Sequence, residues 1–252
     1  MSLTLRWCLI PVLAVALGLA VAACSGGGSS GGAAAGSSGT ARTASSAPAT
    51  SGTTTTAAPS TSGAPAASTT TRRPARYAFP VQPVSGCNVH YGHFHHDYPA
   101  TDIFSNKGCR FVAPTGGVVI EVSRTDRWDP STNRGADRGG RSVAVLGDDG
   151  VRYYGSHLLR VAGGVEPGVR VRAGQLLGLI DNSGDARSTP THLHFGISWP
   201  TRDGIWWVRR GMVYPWPYLD SWRAGGNRSP AAAVRAALAR AGTRVPPCQS
   251  GC

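Results

Sequence analysis

The chain has 252 residues and a formal net charge of +12, from 25 basic and 13 acidic side chains. Every basic residue except Lys107 is an arginine, a preference to which a GC-rich genome also contributes. A basic surface favours an acidic partner, such as nucleic acid, anionic lipid or an acidic polymer. The arginines are scattered along the chain and do not cluster, so we expect no nucleic-acid site.

The N-terminus predicts an exported protein. Arg6 is followed by an apolar run, residues 7–23, that ends in small side chains directly before Cys24, which is the layout of a signal peptide. A retained membrane-spanning helix is the alternative, but the run is shorter than the roughly 20 residues of a span and contains Pro11. Because "VAAC" resembles a bacterial lipobox, we expect residues 1–23 to be removed. Cys24 would then carry a lipid anchor that holds the protein at the membrane, facing the cell wall or periplasm.

Residues 24–75 predict a disordered linker. From Ser25 to Thr71 every residue except Arg42 is Ser, Thr, Ala, Gly or Pro. Such a segment has almost no large side chain to bury, so it cannot offset the entropy cost of ordering its backbone. We expect it to tether the lipid anchor to a folded domain.

Residues 76–222 predict one mostly β domain, because apolar and aromatic side chains return there in strand-like patterns. The dipeptide Asp149-Gly150 is a hairpin signal. We expect an antiparallel, sandwich-like arrangement of sheets with glycine-rich loops that form the walls of a cleft. The expected strand regions are 116–123, 141–158, 165–181 and 191–199, and the glycine-rich loops are 129–140 and 182–189.

Residues 223–252 predict one C-terminal helix and a tail. Ser229 is a favourable cap, Pro230 suits the first turn, an alanine-rich run follows, and Gly242 ends it. The aromatic and proline-containing segment before it, residues 209–222, is expected to be irregular and to cover the base of the β domain.

Four cysteines lie in the part of the chain beyond the linker, and four cysteines allow three pairings. Cys87 and Cys109 flank a cluster of histidines, so we predict that they form a disulfide that fixes this loop. The pairing of Cys248 with Cys252 stays open. No C-x-x-C pair is present, which argues against a cysteine-based zinc site, and disulfides fit an oxidising compartment.

The histidine cluster marks a candidate metal site. Four of the seven histidines, His90, His93, His95 and His96, lie within seven positions and precede Asp102. A catalytic zinc site needs three protein ligands and one open position. His96 and Asp102 supply one nitrogen and one oxygen ligand, and Asp102 begins a predicted strand that leads into the core.

Three further histidines complete the candidate site. His192 and His194 alternate along one predicted strand, so both side chains point to the same face. One of them can ligate a metal ion while the other contacts the bound water. His157 stands at a strand end in "YYGSHL", where a lone histidine is usually an ordinary surface residue.

The order of these motifs resembles that of the lysostaphin/LytM-like zinc metalloendopeptidases, which cleave peptide bonds in bacterial peptidoglycan. The resemblance covers roughly residues 80–200. It rests on a histidine and an aspartate, then "HL" after a hairpin, then "HLHF", with "VAPTGGVV" and "GQLLG" between them.

This resemblance implies one zinc ion per chain, held by His96, Asp102 and His194. It implies that His157 and His192 do not ligate but orient or deprotonate the attacking water and stabilise the oxyanion. The expected substrate is a stem or crosslink peptide of peptidoglycan, and the protein is expected to act as a monomer.

One spacing departs from the family. The first motif is usually H-x-x-x-D, whereas five residues, "DYPAT", separate His96 from Asp102. The two extra residues must bulge if both side chains are to reach one metal ion. His96 needs the smallest bulge and is therefore preferred, and His95 stays open as the ligand in its place.

Other functions fit part of the sequence. A catalytically inactive family member would act as a cell-wall-binding or hydrolase-activating lipoprotein, although all five expected side-chain types are present. A lipoyl-type carrier would share the hairpin "VEPGVRVRAGQLLGLI" but needs a lysine at its turn, and Lys107 lies outside it. A zinc-scavenging lipoprotein would leave "HLHF" and His157 without a role.

Overall fold

The computed structural model describes residues 77–252, so the predicted signal peptide, the predicted lipidation site Cys24 and the linker lie outside the described residues. Within this part, two antiparallel sheets carry the fold, and the predicted mostly β class is confirmed. The larger sheet contains, in spatial order, β2 (Thr101–Phe104), β10 (His192–Ser198), β6 (Arg152–Ser156), β5 (Ser142–Gly147), β4 (Gly117–Ser123) and β8 (Arg170–Val171). The smaller sheet contains β1 (Val81–Gln82), β3 (Arg110–Val112), β9 (Leu176–Ile180) and β7 (Leu158–Val161).

The core is built from apolar residues of both sheets. Val145, Leu193 and Phe195 of the larger sheet are fully buried in one hydrophobic cluster with Phe111 of the smaller sheet. The ring of Phe111 packs on Gly155 of β6, where a Cβ atom would come within 2.4 Å of it. This packing of one sheet on the other removes apolar surface from water, which is the main favourable term in folding.

The hairpin predicted at Asp149-Gly150 joins β5 to β6. Gly150 has a φ of 81°, a conformation that glycine adopts without steric cost, and its amide donates to the carbonyl of Gly147. The carboxylate of Asp149 accepts hydrogen bonds from the hydroxyls of Tyr77 (2.7 Å) and Tyr153 (2.6 Å). These bonds tie the turn to the core beneath it.

Two α-helices follow the sheets within residues 77–252, and neither has the length and hydropathy needed to cross a bilayer. The predicted C-terminal helix is present as α2 (Ala231–Ala241). Ser229 Oγ accepts a hydrogen bond from the first helical amide, and Gly242 ends the helix with a φ of 63°.

The first helix, α1 (Trp216–Arg223), lies where we expected an irregular segment, so that expectation is wrong. Tyr218, Leu219 and Trp222 are spaced three and four residues apart, and all three are buried on one face of the helix. Trp222 stacks on Tyr77 with ring centroids 5.1 Å apart. The prolines of this segment stand at the start of the helix, where they are tolerated, and their presence concealed the helical spacing.

Two disulfides are present in the described residues. Cys87 and Cys109, the pair proposed from the sequence, are joined across a sequence separation of 22, and both are buried. Cys248 and Cys252 close a small ring across a separation of 4 near the C-terminus. The first bridge fixes the start of the histidine-rich segment to the strand that follows Asp102.

Replacing both Cys87 and Cys109 by serine should lower the free energy of unfolding by about 3 kcal/mol, because the bridge restricts a loop of about twenty residues in the unfolded chain. For a domain of this size, Tm in thermal unfolding should fall by roughly 6–12 °C. The double variant Cys248→Ser/Cys252→Ser is the control and should change Tm much less, because it opens a small ring outside the core. Free thiols at positions 87 and 109 in the exported protein would contradict the role given to this bridge.

Candidate metal and catalytic site

The candidate site is built around β10, the strand that carries His192 and His194. Because β10 lies between β2 and β6, His194 is paired on one side with Asp102 and on the other with Ser156. Directly opposite residues of antiparallel strands have Cβ atoms about 4.5–5.5 Å apart. The register of the sheet therefore brings together Asp102 and His194, which are 92 positions apart in the chain.

The ring of His194 has a partner at each nitrogen. Nε2 lies 2.9 Å from the backbone carbonyl oxygen of Arg210, and Nδ1 lies 2.9 Å from Oδ1 of Asp102. A carbonyl oxygen only accepts, so Nε2 carries a proton and Nδ1 of the neutral ring is an acceptor. Nδ1 then faces a carboxylate oxygen, which is a second acceptor. Two acceptors at this distance require a cation at the pair, either a proton or a metal ion.

The contact with Arg210 depends on Gly196, two residues after His194 on the same strand. A Cβ atom at position 196 would lie 2.2 Å from the carbonyl oxygen of Arg210. Only glycine lets the 3₁₀ turn at Trp207–Arg210 lie directly against β10. The glycine of "HLHFG" is thus required for the hydrogen bond that fixes the orientation of the His194 ring.

His157 and His192 are fixed by the same kind of contact. Nδ1 of His157 lies 2.7 Å from the carbonyl oxygen of Ser183, and Nδ1 of His192 lies 2.8 Å from that of Pro190. Both Nδ1 atoms therefore donate, which leaves Nε2 of each ring as an acceptor. The two rings are 4.9 Å apart, and Nε2 of His192 lies 4.0 Å from Oδ1 of Asp102.

His157 stands where the chain passes from the larger sheet to the smaller one. It lies between β6 and β7 with a φ of 65°, which is uncommon for a residue other than glycine. Its amide donates to the carbonyl of Gly139 (3.0 Å), and its carbonyl accepts from the amide of Asp181 (3.1 Å). Such a conformation persists only where its surroundings fix it. Here it allows one residue to end a strand and to line the cavity beside His192.

Two of the four clustered histidines, His90 and His93, pack on aromatic rings away from Asp102. His90 stacks on Phe104 at 5.2 Å between ring centroids, and His93 stacks on Trp216 at 4.2 Å. The ring of His93 also lies beside the carboxylate of Asp220. These two histidines serve packing around the cluster.

The neighbouring pair His95 and His96 differs in burial. The His95 side chain is 4% exposed, its Nε2 lies 3.8 Å from Oδ2 of Asp102, and its ring lies 5.1 Å from that of His194. The His96 side chain is 74% exposed, and its Nε2 lies 3.3 Å from Oδ2 of Asp97. One ligand atom from each of His95, His96 and Asp102 lies within 4.8 Å of the other two. Both histidines are therefore near the carboxylate, but only His95 points into the domain.

Burial sets the protonation of the site. It lowers the pKa of His157 to about 3 and that of His95 to about 4, and neighbouring imidazoles add to both shifts. Both rings are therefore neutral at neutral pH. Burial acts to raise the pKa of Asp102, but its contacts with His194 and the neighbouring histidines outweigh this and hold the pKa well below its usual range. The result is one carboxylate close to the neutral rings of His95 and His157.

These side chains line a cavity of about 270 Å³. The two glycine-rich loops form its walls, as the sequence predicts, and they pack backbone against backbone. A Cβ atom on Gly140 would lie 2.4 Å from the amide nitrogen of Gly184. The loop residues that line the cavity are Gly135, Arg138, Gly139, Asp185, Ala186 and Thr189.

Sequence reasoning missed several residues that shape the site. Ser183, Pro190 and Arg210 act through backbone carbonyls, which any residue type supplies, so the sequence carries no signal for them. Tyr98 lies between His96 and Asp102, and its ring lies 4.5 Å from that of His95 and 4.4 Å from the Arg210 guanidinium. The sequence does contain a signal for Tyr98. This residue lies in "DYPAT", a segment that is two residues longer than the family's usual spacing, and the extra length places its ring beside the site.

The donor set fits a zinc ion. Nitrogen atoms of His95 and His194 and a carboxylate oxygen of Asp102 are the ligand types that a catalytic zinc site uses. The second ring nitrogen of His194 donates to a backbone carbonyl, which is the usual outer contact of a metal-ligating histidine. Asp102 lies among these imidazoles without an arginine or lysine partner in the described residues.

Solved structures with similarity to this chain include three bacterial proteins. The catalytic domain of the antimicrobial peptidase lysostaphin from Staphylococcus simulans is 24% identical over 53% of this chain and 94% of that chain, with a TM-score of 0.41. LytM from Ruminococcus gnavus is 22% identical over 62% of this chain and 63% of its own, with a TM-score of 0.45. A zinc-containing peptidase from Vibrio cholerae is 18% identical over 48% and 36%, with a TM-score of 0.37.

The sequence itself matches one family. No curated protein sequence matches the chain. The sequence model of peptidase family M23 matches residues 96–204, a segment that contains Asp102, His157, His192 and His194. The family expected from the order of the motifs is therefore confirmed as the one whose sequence model matches residues 96–204 of this chain, peptidase family M23.

Proposed function

We propose that this protein is a zinc-dependent endopeptidase that hydrolyses peptide bonds in the stem or crosslink peptides of peptidoglycan. The observation that carries the proposal is the contact between His194 Nδ1 and Asp102 Oδ1, two zinc-ligand atoms that face each other at 2.9 Å. A divalent cation satisfies both atoms. His157 and His192 stand beside this pair with their Nδ1 atoms directed to backbone carbonyls, which leaves Nε2 of each ring to act on a water molecule.

Zinc is assigned to His95, Asp102 and His194. His95 replaces His96 as the first ligand because its ring is buried against the other two ligands, whereas the ring of His96 is directed to Asp97. Six residues then lie between His95 and Asp102, and the loop they form carries Tyr98 over the site. The longer spacing is compatible with one metal ion because Nε2 of His95 lies 3.8 Å from Oδ2 of Asp102 in spite of the six residues between them.

Zinc held there would lower the pKa of a bound water toward ~7 and polarise the carbonyl of the substrate. Nε2 of His157 or of His192 accepts the proton of the attacking water, and the buried ring of His157 is neutral and ready to do so. The ring that takes the proton then becomes a donor, so it can stabilise the oxyanion and protonate the leaving amine. The hydrogen bonds to Ser183 and Pro190 hold both rings in the tautomer that this role needs.

Peptidoglycan is the proposed substrate because residues 96–204 match the sequence model of peptidase family M23 and the chain carries the sequence features of an exported lipoprotein. The basic net charge of the chain suits an acidic cell-wall polymer outside the membrane. The flexible linker predicted at residues 24–75 would let a lipid-anchored domain reach the wall.

Substitutions should separate ligands from proton-transfer residues. Asp102→Ala and His194→Ala should lose both zinc and hydrolysis, because each removes a ligand. His157→Ala and His192→Ala should keep about one zinc per chain and lose roughly 10²–10⁴-fold in activity, as is typical when a general acid or base is removed. Zinc is measured by elemental analysis, and hydrolysis by the masses of products released from purified peptidoglycan, with a chelator as control.

His93→Ala is the matched control, since its ring packs on Trp216 outside the site, and it should keep zinc and activity. A wild-type protein that holds zinc and cleaves no wall peptide of any composition would favour the non-enzymatic function, a wall-binding or hydrolase-activating lipoprotein. Loss of zinc in His157→Ala would show that the roles given to the histidines are wrong.

The first ligand is tested by a second pair of variants. His95→Ala should lose zinc and activity, whereas His96→Ala should keep most of both, because the ring of His96 is largely exposed. Zinc affinity is measured by competition with a chromophoric chelator. The opposite result would restore His96 as the ligand, as the sequence spacing suggested, and would leave the enzymatic function standing.

Stability should depend on pH through the buried histidines. The pKa of His95 and of His157 is about 4 and about 3 in the folded domain and near 6.5 in the unfolded chain. Below pH 6.5 the unfolded state binds more protons, so this part of the stability is complete above pH 6.5 and is lost as the pH falls toward 4. Tm of chelator-treated protein should fall by on the order of 5–10 °C between pH 7 and pH 4.5.

The His157→Gln variant isolates this effect, because it removes one of the two groups. Its Tm should change less between pH 7 and pH 4.5 than that of the wild type, while His93→Ala should follow the wild type. Equal pH dependence of His157→Gln and wild type would show that burial does not keep this histidine neutral.

A further inference from the structure

The end of the chain lies against the candidate site. We name residues 248–252, closed by a disulfide between the first and last of them, the C-terminal ring. Ser250, inside the ring, lines the same cavity as His194. Its Oγ donates to Oδ2 of Asp97 (2.7 Å), and its carbonyl oxygen accepts from Nη2 of Arg210 (2.6 Å). The ring is therefore attached to two residues that themselves line the cavity.

A second set of contacts fixes the ring to one of the glycine-rich loops. A Cβ atom on Gly135 would lie 1.7 Å from the carbonyl oxygen of Gly251, and a Cβ atom on Gly251 would lie 2.3 Å from Nη1 of Arg138. Just before the ring, the carbonyl of Pro246 accepts a hydrogen bond from Nε1 of Trp207 (2.7 Å). Glycine at position 135 allows the loop to meet the backbone of the ring, and glycine at position 251 leaves room for the Arg138 side chain.

The ring connects two walls of the cavity. Asp97 stands two residues after His95, on the segment that carries the first ligand, while Gly135 and Arg138 belong to the loop of residues 129–140. The cavity of about 270 Å³ persists beside Ser250. The ring thus bounds the site on one side without filling it.

The disulfide restricts the backbone of residues 248–252 more than an open segment would be restricted. A disulfide reduces the conformations open to the residues that it joins. Here the covalent closure holds the backbone of Ser250 in the position from which both its hydroxyl and its carbonyl bind the cavity rim. Such a boundary excludes by steric contact and needs no charge or specific side chain of its own.

We propose that the C-terminal ring is an end wall of the substrate cleft, which limits the length and branching of the peptide that extends past the scissile bond on that side. The proposal rests on the proposed peptidase function and narrows its substrate class. Soluble or terminal wall peptides are preferred over the intact crosslinked network. In the network the peptide on each side of a bond continues into glycan strands and further crosslinks, whereas a soluble crosslinked dimer ends after one stem peptide on each side, so a closed end discriminates against the network.

The test uses the full chain loaded with zinc. The wild type and each variant are measured on two substrates. Ser250→Asp sets a carboxylate against Asp97 and detaches the ring, and Cys248→Ser/Cys252→Ser opens it. Gln249→Asp is the matched control: it adds the same charge one residue earlier, at an exposed side chain without a hydrogen bond in residues 77–252. kcat/KM is measured on soluble crosslinked muropeptide dimers and on intact sacculi. Co-sedimentation of the same variants with sacculi, in a His157→Ala background, reports binding without hydrolysis.

The expected result is a rise of roughly tenfold in the ratio of sacculus to dimer cleavage for Ser250→Asp and for the opened ring, with Gln249→Asp like wild type. Binding of the His157→Ala forms to sacculi should rise in the same two variants, while zinc content stays constant. An equal rise on both substrates would overturn the proposal in favour of an inhibitory lid. An unchanged ratio would show that the ring only supports the fold.

The failure of the proposed function gives a different pattern. If no form cleaves either substrate, the peptidase proposal falls, and the sedimentation result alone then decides whether the ring restricts entry to the cleft. Equal sedimentation of ring variants and wild type would overturn the end wall as well.

Discussion

The contact between Asp102 and His194 is the interaction on which the site depends. It exists because β2 and β10 pair in one register, and a shift of a single residue would turn either side chain to the other face of the sheet. The sheet therefore fixes the distance between two proposed ligands that are far apart in sequence. The Arg210 carbonyl binds Nε2 of His194, so Nδ1 of this ring faces the carboxylate of Asp102. A cation, either a proton or a metal ion, is needed between these two atoms.

Backbone carbonyls also orient the rings of His157 and His192. His157 and His192 each donate Nδ1–H to a carbonyl of the loop between β9 and β10, which leaves Nε2 as the acceptor in both rings. Because the carbonyls belong to the backbone, the proton positions are set by the fold and not by further titrating side chains. Burial keeps the rings of His95 and His157 neutral, so metal-ligand and base chemistry are both available near neutral pH.

Disulfide and aromatic contacts fix the segments near the site that do not belong to either sheet. The Cys87–Cys109 bridge fixes the beginning of the histidine-rich segment, and the stacking of His93 on Trp216 ties its middle to α1. At the other end of the chain, the C-terminal ring meets Asp97 at the edge of the cavity. The histidine-rich segment is therefore held at its beginning by a covalent bond and at Asp97 by a hydrogen bond.

The sequence by itself determined the β class, the hairpin at Asp149-Gly150, the C-terminal helix and the shared face of His192 and His194, because these follow from local periodicity and turn chemistry. The order of the motifs also determined the family. Only the tertiary structure showed α1, because the helical spacing of its buried side chains is recognised from their packing on one face. The tertiary structure also distinguished His95 from His96. Adjacent residues of the same type carry no difference in sequence, whereas burial in three dimensions points one ring at the carboxylate and leaves the other in water.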